Sequence, residues 1–133
     1  MTLADPAAPW HAHVYYAPGQ RAAAAALRDS FLRLTGAVDD PLILFVGRMM
    51  DEGVGPHPIP QFELHFRERA VPAIVALLEE SGLRALVHPL TDDDLADHTS
   101  NARWIGDPVA LDVTTLDPPG TNQGIPRFGL TDF

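Results

Sequence analysis

Apolar and polar residues alternate over residues 11–16 and 61–67, and this period of two predicts β-strands with one face against a core. A continuous apolar stretch at 42–46, entered through the turn Asp39-Asp40-Pro41, predicts a strand buried on both faces. Residues 83–88, stopped by Pro89, predict a fourth strand. Over residues 20–34 an alanine run leads into Leu27, Phe31 and Leu34 at helical spacing, so an amphipathic helix is expected there, closed by Gly36. Residues 71–81 predict a second helix: Val71, Ile74, Val75 and Leu78 share one face, Pro72 suits the first turn, and Gly82 follows the end. A short acidic helix is expected after a Thr91 cap, with Asp92, Asp93 and Asp94 at its positive end, and residues 109–116 are expected to add an edge strand.

The order strand–helix–strand–strand–helix–strand predicts an α+β ferredoxin-like sandwich: an antiparallel four-stranded sheet with both helices on one face, plus the short extra helix and the edge strand. One domain is expected over residues 10–116, with a loose arm at 1–9 and an irregular tail at 117–133. Alternation then assigns directions. If Ala12, Val14 and Tyr16 face the helices, His11, His13 and Tyr15 face away. The same rule sends Gln61, Glu63, His65 and Arg67 outward from the third strand, and Arg84, Leu86 and His88 outward from the fourth. In the ferredoxin-like order the first strand lies between the third and fourth, about 4.8 Å from each, which brings imidazoles within reach of one metal ion.

Composition narrows the chemistry. The formal net charge of −9 argues against a nucleic-acid partner. No apolar run has membrane-spanning length and the N-terminus has no basic start before an apolar stretch, so the expected location is the cytoplasm. The chain has no cysteine, and all its basic residues are arginine, which removes thiolate chemistry and lysine Schiff bases. Ser30, Ser81 and Ser100 lie outside any nucleophile-elbow pattern. Histidine, carboxylate and metal remain as the catalytic repertoire.

Each histidine also has a plain structural explanation. His11 and His13 can line a solvated sheet face; His65 can be a surface residue beside Glu63 and Arg67; His57 sits in the stiff Gly55-Pro56-His57-Pro58 loop; His88 can cap a strand end; His98 can pair with Asp97 on a helix surface. Several histidines on one open sheet face have little structural purpose together, and a cysteine-free imidazole set suits iron, zinc, copper or nickel.

The segments His11-Ala12-His13-Val14-Tyr15-Tyr16, Gly55-Pro56-His57-Pro58, Leu86-Val87-His88-Pro89 and Asp97-His98-Thr99, followed by Trp104-Ile105-Gly106, resemble the fungal-type DOPA 4,5-dioxygenase family with its small bacterial members. The resemblance runs over residues 10–113 and implies a ferredoxin-like fold and cleavage of a catechol ring by dioxygen at a non-haem metal. The family's characteristic histidines map onto His13, His57, His88 and His98, with His11 a companion and His65 outside the motifs. On this basis His13, His57 and His88 are expected to bind the metal, Fe(II) foremost and zinc as the other choice. His98 and His11 are expected to move protons, Arg48, Arg67 or Arg84 to hold a carboxylate of a DOPA-like catechol substrate, and Glu63 to contact that substrate or to serve as the carboxylate of a two-His-one-carboxylate metal set. A homodimer is expected; pairing through the open sheet face belongs to the non-catalytic rival. Two rivals share these residues: a non-catalytic metal- or small-ligand-binding module, and a hydrolytic zinc enzyme.

Overall fold

The computed structural model describes residues 5–36, 39, 41–91 and 93–116. Five strands, β1 (Pro9–Tyr15), β2 (Phe45–Val46), β3 (Gln61–Arg67), β4 (Ala85–Pro89) and β5 (Arg103–Ile105), form one sheet in the order β2-β3-β1-β4-β5. All four pairings are antiparallel. Two main helices, α1 (Arg21–Leu32) and α2 (Val71–Ser81), and a short third, α3 (Asp94–His98), complete the regular structure.

Both main helices pack on one side of the sheet. Ala12 and Val14 of β1, Phe62, Leu64 and Phe66 of β3, and Ala85 and Val87 of β4 are fully buried against Ala24 and Phe31 of α1 and Ile74, Val75 and Leu78 of α2. The clean alternation of β3 gives this layer three large apolar side chains from one strand, at roughly 1.5–3 kcal/mol of hydrophobic stabilisation each. Because the period is two, the same burial sends the intervening residues to the opposite face.

That face is not open. Tyr15 and Leu86 form a second apolar cluster with Val109, against which Ile59, Trp104 and Leu111 pack. The loop before β3, the α3 region and residues 107–112 thus cover the histidine side of the sheet, in place of the open face on which the non-catalytic rival would pair two copies. His65, expected as a surface residue, is fully buried.

Four further expectations need correction. The sheet has five strands rather than four, the fifth being Arg103–Ile105 beside β4. Residues 109–116 form no edge strand: the Asp112 side chain accepts from Thr114 N and starts a 3-10 turn at Val113–Thr115. The cap of α3 is Asp93, which accepts from Ala96 N, while Thr91 hydrogen-bonds to Asp97. Residues 6–8 are tied rather than loose, since Pro6 O and Ala8 O accept from Arg69 N and Glu68 N. The expected 117–133 tail lies outside the described residues. Among those residues no helix is long and apolar enough to cross a membrane.

Candidate metal centre

The register lines the donors up in rows across the sheet. His11 of β1 stands opposite His65 of β3 on one side and His88 of β4 on the other. Two residues along, His13 stands opposite Glu63 and Leu86. These side chains are at most 2% exposed.

The remaining two histidines arrive from covering segments. His57 is placed by a tight turn in which Val54 and His57 exchange both backbone hydrogen bonds at 2.9 Å. Gly55 takes the left-handed φ of 55° that this turn needs and that a side chain would disfavour. Pro56 O accepts from Asp112 N at 2.8 Å, which ties the turn down over the sheet. His98 comes from the last turn of α3 and is also buried.

The result is a continuous imidazole cluster centred on His13. Its ring centroid lies 4.0 Å from His57, 5.2 Å from His88, 6.1 Å from His11 and 6.3 Å from His98, while His88 and His98 are 4.2 Å apart. Potential ligand atoms fall within 4.8 Å of one another in three groups: His11, His13 and His88; His13, His57 and His98; and His11, Glu63 and His65. His13 is common to the first two.

Hydrogen bonds on the far side of the rings fix which nitrogen points inward. His88 Nδ1 donates to Pro89 O at 2.8 Å, His98 Nδ1 to Asp94 O at 2.8 Å, and His13 Nδ1 to Gln61 Oε1 at 3.0 Å. A neutral imidazole that donates from Nδ1 presents a bare lone pair at Nε2. His13 Nε2 and His88 Nε2 nevertheless approach to 3.1 Å. Two lone pairs at that distance repel unless a cation lies between them, and the spacing suits two imidazoles that share an ion at about 2.1 Å each. Outer partners of this kind are what metal-ligating histidines require. The donor set therefore fits a divalent metal.

Protonation points the same way. Burial first, and then the neighbouring imidazoles of His57, His88, His11 and His98, hold the His13 pKa well below its ordinary value. Burial and His98 lower that of His57 to about 3. Both rings are neutral near pH 7 and available as ligands.

Of the other expected residues, Glu63 points into the cluster: its Oε2 lies 3.4 Å from His65 Nε2 and 4.0 Å from His11 Nδ1. Arg84 is half-buried and close enough to oppose the burial-driven rise of the Tyr15 pKa. Arg48 is exposed and lines a surface pocket with Met49, Asp51 and Glu52. Arg67 donates to Ala7 O at 3.0 Å. Sequence reasoning placed Gln61 and Tyr15 on this face without a role; Gln61 orients His13, the Tyr15 hydroxyl lies 2.7 Å from His57 Nδ1, and Asp94, also given no role there, stands behind His98. The signal for the first two was present, since Tyr15 and Gln61 continue the i, i+2 series of His11, His13 and Glu63.

An α+β domain whose second sheet face gathers buried, inward-pointing imidazoles is a candidate metal-binding domain. The sequence model of the Dopa 4,5-dioxygenase family matches residues 10–115, and the chain belongs to that family. It is 35% identical over 115 residues to the DOPA 4,5-dioxygenase of Amanita muscaria, covering 80% of this chain and 49% of that protein. It is 29% identical over 114 residues to an uncharacterized 21.2 kDa protein of Botryotinia fuckeliana, covering 78% of this chain and 61% of that one. The chain thus spans about half to three-fifths of the length of these curated relatives. A crystal structure from Nostoc punctiforme, described as a "putative dioxygenase", superposes with a TM-score of 0.67 at 31% identity, over 83% of this chain and 91% of that one.

Proposed function

We propose that this protein is a non-haem metal-dependent dioxygenase that opens a catechol ring, with a DOPA-like molecule as substrate and a ferredoxin-like scaffold beneath the site. The 3.1 Å approach of His13 Nε2 and His88 Nε2, with each Nδ1 anchored outward, is the observation that carries the reading. Family membership and the relative in Amanita muscaria support the choice of reaction.

In this reading His13 and His88 hold Fe(II); His57, whose ligand atom groups with His13 and His98 rather than with His88, comes to it from the turn above, and His98 stands beside them with its Nδ1 fixed by Asp94. When bound, the ion supplies Lewis-acid and redox chemistry towards a catechol and dioxygen. The protein's own groups do the rest. Burial of the cluster excludes water and keeps the His13 and His57 rings neutral. His98 takes up and returns catechol protons, a task suited to imidazole. Tyr15 holds His57 in orientation through their 2.7 Å contact. Arg84, close to Tyr15, is the cation best placed to meet a substrate carboxylate. Both atoms of dioxygen enter the ring-opened product, so no external reductant is required.

Burial also favours a second reading, a metal-binding module without catalysis, because all six histidines are at most 7% exposed. One experiment separates the two. Protein reconstituted with Fe(II) under anaerobic conditions is mixed with a panel of catechols and then with oxygen. A yellow ring-fission product with matched oxygen uptake supports the dioxygenase. Stoichiometric iron with no product from any catechol supports the module.

A further inference from the structure

His11, Glu63 and His65 form a second donor set, displaced along and across the sheet from the cluster around His57 and His98. We infer that these three side chains bind a divalent transition-metal ion of their own, adjoining the first site through His11. The inference does not rest on the dioxygenase reading, since a second ion can be held whether or not a catechol is cleaved.

Glu63 carries the argument. It is 2% exposed, and among the described residues neither of its carboxylate oxygens accepts a hydrogen bond. A buried carboxylate without hydrogen bonds is costly unless a positive charge compensates it. Its ionic neighbours among those residues are the two imidazoles, at 3.4 Å from His65 Nε2 and 4.0 Å from His11 Nδ1. Those separations are long for charge-assisted hydrogen bonds, which run nearer 2.8 Å. They suit ligands that meet on one ion at about 2.1 Å each. The ligand atoms of all three residues lie within 4.8 Å of one another.

The surroundings are shaped for this arrangement. His11 and His65 face each other across the β1–β3 pair and stack at 3.8 Å with an interplanar angle of 3°, each with a nitrogen towards Glu63, and a modest tilt of one ring brings both in-plane lone pairs onto one ion. Phe45 of β2 packs on the outer side of His65 at 4.7 Å. Gly47 faces Glu63: a Cβ there would meet Glu63 Cγ at 2.9 Å, so the chain leaves out a side chain where the glutamate must pass. Two imidazoles and one carboxylate form a donor set suited to Fe(II), Mn(II) or Zn(II).

The test is metal stoichiometry. Wild-type protein and three variants are stripped, dialysed against micromolar Zn(II) and, separately, Mn(II), and assayed for bound metal per chain, with circular dichroism to verify folding. Two equivalents are expected in wild type and one in Glu63→Gln. The double variant His13→Ala/His88→Ala should retain one equivalent. His65→Gln, which keeps the carboxylate, must lose the same equivalent as Glu63→Gln and serves if that variant fails to fold. Unchanged stoichiometry in Glu63→Gln or His65→Gln overturns the site, as does a single wild-type equivalent that vanishes in the double variant. A single equivalent lost in Glu63→Gln but kept in the double variant supports this site and sinks the His13–His88 centre instead.

Discussion

The Nε2 atoms of His13 and His88 approach to 3.1 Å while each ring donates its other nitrogen's proton to an oxygen behind it. The arrangement is stable only with positive charge between the rings, so metal should contribute to folding stability as well as chemistry. At a free concentration one hundred times the dissociation constant, a bound ion stabilises the fold by about 2.7 kcal/mol. Chelation with EDTA is expected to lower Tm by several degrees, and readdition of Fe(II) or Zn(II) to restore it. A Tm indifferent to both would contradict the centre.

Gln61 should matter through His13 alone. Its Oε1 accepts the His13 Nδ1 proton and thereby selects the tautomer that points Nε2 inward. Gln61→Leu is expected to weaken metal binding by about 10- to 100-fold, the usual cost of removing a partner behind a ligating histidine. Competition against a fluorescent chelator measures it directly.

Tyr15 offers a parallel test on the other side of the cluster. Tyr15→Phe keeps the ring packed near Trp104, at a centroid distance of 6.0 Å, and deletes only the hydroxyl beside His57. Stability should fall by about 1 kcal/mol. Catechol turnover should fall by an order of magnitude or more, in kcat rather than in KM.

Acid should destabilise the metal-free protein from near neutrality downward. His57 titrates at about 3 in the folded chain, against an ordinary value of 6.5. Between those values the unfolded chain binds the extra proton and the folded chain does not, so stability falls as pH falls. The expected loss is roughly 1.4 kcal/mol per pH unit below about 6.5 for this one residue, with His13 adding in the same direction. Urea midpoints at pH 7.5, 6 and 5 should decline in that order; a midpoint that rises towards pH 5 would refute the assignment.

The extent to which the site could be read in advance follows from how local each signal is. Residues 61–67 and 71–81 were delimited by period and stop signals, and the structure has β3 and α2 with those bounds. The face shared by His11, His13, His65 and His88 follows from the same alternation once β1 lies between β3 and β4. Arg103–Ile105 is too short to show a period, and its pairing with β4 depends on Leu86 facing Trp104 across the sheet. The approach of His57 depends on Pro56 O meeting Asp112 N, a contact between segments far apart in the chain that no local pattern encodes. Nor does alternation say what covers a face, which is why His65 was expected at the surface and is instead buried under Phe45.

The double pairing of His11, with His65 on one flank and His88 on the other, has a consequence for how the chain tolerates insertion and deletion. Gaining or losing one residue inside β1 would exchange its two sides, putting imidazoles into the helix-packed layer and Ala12 and Val14 among the ligands. Such an error is penalised twice, in the oily layer and in the donor set. The chemistry thereby proofreads the alignment of the central strand: a copy paired out of step loses its interior and its ligands together.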